Sequence, residues 1–194
     1  MEKRGTRMGI KDITKDFLYY ASLGHKVESV DPRVYSAVLG FRKNVSLINV
    51  EKVQESLSLV SSFLKTVFKK ENSSILFLNL NEDSNVSTKN GALKSLQPFL
   101  IRNWSSGMLT NIVIKDKIDM IFVLSAKNHN FVLQEAKKLN IPVISIIDSD
   151  TNSNLVTFPI WANDDSLELH HFITCTISCV ILEAQLMKYA MSCS

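Results

Sequence analysis

Hydrophobic positions along the chain follow two periods. From Glu51 to Lys70, Val53, Leu57, Val60, Leu64, Val67 and Phe68 recur at helical spacing, which predicts an amphipathic helix. Lys65, Lys69 and Lys70 stand in its last two turns, where the macrodipole favours cations. Three stretches, Ile75–Leu80, Asp119–Leu124 and Val143–Ile147, are nearly continuous apolar runs bounded by polar clusters, the pattern of strands covered on both faces. Between the last two, Asn128–Asn140 reads as a helix built on Phe131, Val132, Ala136 and Leu139, capped by Asn128 and stopped by Pro142. Strand, helix and strand at this spacing predict a right-handed crossover between parallel strands. A last helix, Ser166 to about Ala190, is expected to cover the sheet with Phe172, Ile173, Ile177, Val180 and Ile181 among others.

A length of 194 residues suits one such domain, and 45% hydrophobic with 21% charged residues excludes disorder over most of it. The expectation is a basic N-terminal extension, 1–16, followed by a single three-layer α/β/α domain, 17–194, with a mainly parallel, flavodoxin-like or Rossmann-like sheet. A net charge of +3 is too small to name nucleic acid as a partner. Its distribution says more: +4 over 1–52, +4 over 53–138 and −5 over 139–194, which suggests two electrostatic faces or simply ordinary surface charge. Cys175, Cys179 and Cys193 form no CxxC pair, which argues against a disulfide framework or zinc module. The first two are expected to be small buried hydrophobes in a reducing compartment. The longest apolar run, Phe172–Leu182, has 11 residues, against about 20 needed to span a bilayer. No transmembrane helix is expected, and the N-terminus lacks the apolar core of a secretory signal.

Open parallel sheets bind ligands at the carboxyl ends of their strands. The groups there are Asn81, Glu82 and Asp83, then Ser125–Asn128, then Asp148, Ser149 and Asp150. Asp148 and Asp150 could hold a metal or a ribose, with Asp164 and Asp165 adding carboxylates; an Asp after a strand is equally a turn and cap residue. No GxGxxG or GxxxxGK[ST] follows any strand, so a phosphate cradle is missing. His25, His170 and His171 have no nucleophile in a recognisable motif. Two stretches, Gly40–Asn44 and Arg102–Gly107, set cations beside an aromatic and a glycine, a composition that suits contacts to folded RNA. For Trp104 a loop-anchoring role fits as well.

Five blocks in order carry a resemblance. They are Gly24-His25, Pro32-Arg33-Val34 leading to Gly40–Lys52, Trp104–Asn111, Glu135–Asp150 and Phe158–Asp165. They resemble the GH pair, the P-x-M and G-x-R-N-G-I-H-I-I-D-L-x-K-T segment, W-x-G-G-x-L-T-N, E-A-x-K-L-x-I-P-V-x-x-I-x-D-T-N and Y-P-I-P-x-N-D-D of the small-subunit ribosomal protein S-two family, most of all its mitochondrial branch. Ser106, Lys43, Asn49 and Trp161 depart from the pattern. The long helical hairpin that bacterial members carry after L-T-N is reduced to Ile112–Ile118.

The resemblance implies a structural part of the small subunit of a mitochondrial ribosome, near the junction of head and body. It implies no catalysis, cofactor or metal. Small-subunit rRNA and neighbouring ribosomal proteins are the implied partners, with mRNA nearby and neither a membrane nor a second copy. Lys3, Arg4, Arg7, Arg33, Arg42, Lys43 and Arg102 are the expected phosphate contacts, and His25, Trp104 and Asn111 complete the expected rRNA-binding set. The alternative is a Rossmann-like enzyme or sensor taking a nucleotide or sugar phosphate at Asp148 and Asp150.

Overall fold

The computed structural model describes residues 20–192 apart from 71–72, 80, 102–103, 106, 111–117 and 128. The predicted extension 1–16, with Lys3, Arg4 and Arg7, lies outside the described residues, as do Arg102, Asn111, Asn128 and Cys193. The chain runs β1 (Leu23–Lys26), β2 (Val38–Arg42), β3 (Val45–Ile48), α1 (Val50–Lys70), β4 (Ile75–Asn79), α2 (Asn85–Lys94) and β5 (Phe99–Ile101). It continues through β6 (Met120–Ser125), α3 (Asn130–Lys138), β7 (Val143–Ile147), β8 (Phe158–Trp161) and α4 (Leu167–Ser192). Strands β4 to β8 form a parallel sheet in the order β5-β4-β6-β7-β8. The three-layer expectation is met.

Alternation along the strands builds two cores. Ile75, Phe77, Phe122, Leu124, Ile144 and Ile146 face one side, where α1 and α4 supply Leu57, Leu64, Phe68, Ile173 and Ile177. Leu76, Leu78, Ile121, Val123, Val143 and Ile147 face the other, under Val132, Leu133 and Ala136 of α3. Every residue of β4, β6 and β7 is buried, which is why these strands read as unbroken apolar runs. Each fully buried Phe, Leu or Ile contributes about 1.5–3 kcal/mol.

The helix ends follow local chemistry. Asn49 accepts from the Glu51 N–H at 2.9 Å before α1. At α3 the N-cap position is His129, without a side-chain cap. Its far end closes with Asn140 at φ 56° and the Ile141 N–H donating to Ala136 O at 3.0 Å, a Schellman arrangement.

The sequence did not announce a second sheet, antiparallel, in the order β1-β3-β2. Nor did it announce α2, β5 or β8. Helix α2 meets α4 through small groups: a Cβ on Gly91 would stand 2.2 Å from Thr174 Cγ2, and Ser178 Oγ donates to Gly91 O at 2.9 Å. Such a contact leaves no hydrophobic period to read. The cysteine expectation is corrected: Cys175 is half-buried and Cys179 exposed, because the core-facing stripe of α4 runs through Ile173, Ile177, Val180 and Ile181. The segment Leu167–Ala190 is long and apolar enough to cross a membrane by length and composition; its packing on α1 and the sheet accounts for that apolarity.

Candidate functional site

The carboxyl ends of β7 and β8 meet strand β1. Asp148, buried, follows β7, and Asp164, also buried, follows β8. Strand β1 reaches them because residue 24 is a glycine: a Cβ there would fall 2.4 Å from Ser46 Oγ and 2.8 Å from Ser149 Oγ. The His25 N–H donates to Ser149 Oγ at 2.8 Å, and Ser46 Oγ donates to His25 O at 2.9 Å. These bonds set the imidazole against three carboxylates. Nδ1 stands 3.2 Å from Asp148 Oδ2, and Nε2 stands 3.4 Å from Asp165 Oδ2 and 3.7 Å from Asp150 Oδ2.

The remaining polar groups close the cluster. Lys127, from the end of β6, pairs with Asp150. Ser125 Oγ donates to Asp164 Oδ2 at 2.6 Å, and the Asp164 N–H donates to Asp148 Oδ2 at 3.2 Å. The Asp148 carboxylate, aided by Asp150 and Asp165, raises the His25 pKa to about 9 against the opposing pull of burial. Burial raises Asp164 to about 6. His25, Asp148 and Asp164 each present a ligand atom within 4.8 Å of the others, so the trio has the chemistry to exchange its proton for a small cation. The cluster otherwise works as a clasp: two cations offset four carboxylates and join the small sheet to the ends of the large one.

Of the expected RNA contacts, Arg42 and Lys43 lie at the β2–β3 turn of the antiparallel sheet, and Arg33 on the short 3-10 helix before β2. Lys43 and Asn44 have φ of 49° and 62°, so β2 and β3 are joined by a two-residue type I′ turn that holds Arg42 and Lys43 in solvent. Neither makes an ion pair among the described residues. Arg33 opens the short 3-10 helix Pro32–Ala37, capped by Asp31 through the Arg33 N–H at 2.9 Å; its guanidinium stands 3.6 Å from the same carboxylate. The structure draws His25 into the clasp.

Trp104 is half-buried and donates through Nε1 to Glu135 Oε1 at 3.4 Å. The same carboxylate accepts from the Gly107 N–H at 2.6 Å and the Leu109 N–H at 3.3 Å, and Gly107 sits at φ 90°, where glycine is favoured. The tryptophan block is thus tied to α3 by a buried glutamate. Sequence reading set Lys127 and Ser149 among the strand-end groups and Glu135 at the head of a motif block, but gave none of the three a role. Glu135 was visible only as an acid on the helix face beside Val132 and Ala136.

The fold is a three-layer α/β domain whose strand ends are tied to a small antiparallel sheet by a polar cluster in which Asp164 Oδ1 keeps no hydrogen-bond partner among the described residues; its class follows from its relatives rather than from the fold. The profile of the family described as Ribosomal protein S2 matches residues 19–119 and 113–184. The chain belongs to the ribosomal protein S2 family, whose members are structural components of the small subunit and not enzymes. It is 24% identical to small ribosomal subunit protein uS2 of Coprothermobacter proteolyticus, over 84% of this chain and 78% of that one. It is 24% identical to uS2 of Borrelia hermsii, over 83% and 82%, and 23% identical to uS2 of Bifidobacterium animalis subsp. lactis, over 85% and 70%. The two family matches meet at 113–119, where the bacterial hairpin is expected to be missing.

Proposed function

We propose that this chain is a structural protein of the mitochondrial small ribosomal subunit, seated near the head and body junction against small-subunit rRNA and neighbouring proteins, with mRNA passing nearby. The observation that carries the RNA face is the type I′ turn, which exposes Arg42 and Lys43 with no ion-pair partner among the described residues. Cations left unpaired on a rigid turn favour a phosphate backbone, since releasing counterions drives such contacts. Lys3, Arg4, Arg7, Arg33 and Arg102, with Trp104 and Asn111, are further rRNA contacts in this reading, on the strength of the sequence resemblance. The −5 balance of residues 139–194 favours protein or solvent on the other side. The mitochondrial assignment rests on the shortened segment after Asn111 and on the drift at Lys43, Asn49, Ser106 and Trp161.

The test is sedimentation of a tagged copy from mitochondrial lysate through a density gradient that contains magnesium. Comigration with small-subunit rRNA that collapses on magnesium chelation supports the reading. A free protein beside intact subunits sinks it. Arg42→Glu with Lys43→Glu is expected to lower incorporation and its salt dependence.

A further inference from the structure

Beside Arg42 and Lys43, which make no ion pair among the described residues, lies an exposed aromatic pair that the clasp and the cores leave unused. Tyr35, from the 3-10 helix, and Phe41, from β2, meet edge to face with ring centroids 6.5 Å apart and planes at 88°. Tyr35 is 52% and Phe41 49% exposed. Both rings hold their place from below, since Val34 and Ala37 of the 3-10 helix are buried and Phe41 pairs across the ladder with buried Ser46. The charge nearby is mostly basic: Arg42 follows Phe41 on the edge strand β2 and points to its other face, Lys43 stands in the turn, and residues 38–48 contain no acid, while Arg33, two residues before Tyr35, is paired with Asp31. Lys26, exposed at the end of β1, stands across β3 from Arg42, both being partners of Val45.

We propose that the Tyr35–Phe41 pair offers one ring face, with the other ring edge-on beside it, as a stacking platform for an unpaired base of a single-stranded RNA segment that passes the edge of β2 and sets its phosphates against Arg42 and Lys43. The inference rests on the ribosomal-RNA reading and narrows it: this face takes a splayed nucleotide in a loop or bulge, not a continuous duplex. Aromatic faces stack any base without reading its edge, while cations follow the backbone. A duplex keeps its bases stacked on each other and offers these rings nothing.

The test uses the full chain with two probes of about 12 nucleotides, single-stranded oligo(U) and an oligo(A)·oligo(U) duplex, with affinity read by fluorescence anisotropy at fixed salt. Tyr35→Leu with Phe41→Leu is expected to weaken oligo(U) binding about tenfold and to leave duplex binding unchanged. Phe41→Trp, which keeps a larger ring, is expected to bind oligo(U) at least as tightly as the parent; it decides the matter if the double variant misfolds. Equal weakening on both probes, no weakening, or loss of oligo(U) binding in Phe41→Trp would overturn the platform. Arg42→Gln with Lys43→Gln separates the two readings. It should weaken both probes; if it weakens neither, the RNA face itself fails, whereas an intact charge effect with no ring effect removes the platform alone.

Discussion

The strand-end clasp and the β2–β3 hairpin use the same kinds of residue to opposite ends. At the clasp, His25 and Lys127 face Asp148, Asp150 and Asp165, and the backbone of Asp164 is bonded to Asp148. At the hairpin, Arg42 and Lys43 point into solvent from a turn that needs no side chain to hold it. A charge that is half-buried and paired serves the fold, and a charge that is exposed and unpaired is available to something else. At the clasp Asp148 and Asp150 are engaged within the chain, by His25, the Asp164 N–H and Lys127, while Asp164 Oδ1 keeps no hydrogen-bond partner among the described residues.

The largest effect is expected where the clasp is cut. Asp148→Ala removes the acceptor of the Asp164 N–H and the main partner of His25, leaving a buried donor and an imidazole faced only by Asp150 and Asp165. Losing one side of a buried pair costs about 3 kcal/mol, or about 6–12 °C in melting temperature for a chain of this size. Thermal and urea unfolding measure it; a loss below about 1 kcal/mol would mean the two sheets are joined by packing alone. Glu135→Ala comes next. It strands the N–H groups of Trp104, Gly107 and Leu109, at about 2 kcal/mol. Protection of the Gly107 and Leu109 amides in hydrogen exchange should fall with it, and unchanged protection would remove Glu135 as the anchor of that loop.

How much of this was legible in the chain follows from what each element buries. Strands β4, β6 and β7 are sandwiched on both faces and announce themselves as apolar runs, and α1 and α3 show a helical period because each lays one stripe on the sheet. Helix α2 buries Thr88, Gly91 and Ala92, groups too small or polar to register. Strand β8 contains Pro159 and only one fully buried residue, Ile160, which a strand pattern discounts. Of the site, the carboxylates were legible from their position after strands. Their partner was not: His25 and Ser149 are 124 residues apart, and nothing local to either shows that Gly24 lets the two strands touch. Trp104 and Glu135 were likewise read as separate blocks, although one carboxylate joins them.

A smaller effect is expected from pH. Asp148 raises His25 from 6.5 to about 9, so the folded chain holds that proton more tightly than the unfolded one. The stabilisation is complete below pH 6.5 and is lost as pH rises through about 9. Because the imidazole is partly solvated, it amounts to about 1 kcal/mol. Asp164 acts in a lower window: raised from 3.8 to about 6 by burial, it makes stability fall as pH rises between those values. In urea midpoints measured against pH, His25→Gln should flatten the upper decline and spare the lower one. An upper decline that survives the substitution belongs to another group.

The hairpin should show the smallest effect on the fold, and that is the sharpest form of the contrast. Arg42→Gln with Lys43→Gln removes two charges that make no ion pair among the described residues, so unfolding free energy should change by less than about 0.5 kcal/mol. The same variant should lower the slope of log affinity against log salt for small-subunit rRNA by about 1.4–1.8, the share of two phosphate contacts. A change in salt slope with no change in stability places these charges outside the folding problem, as the turn geometry requires. A drop in stability comparable to that of Asp148→Ala would erase the distinction and make the hairpin a second clasp.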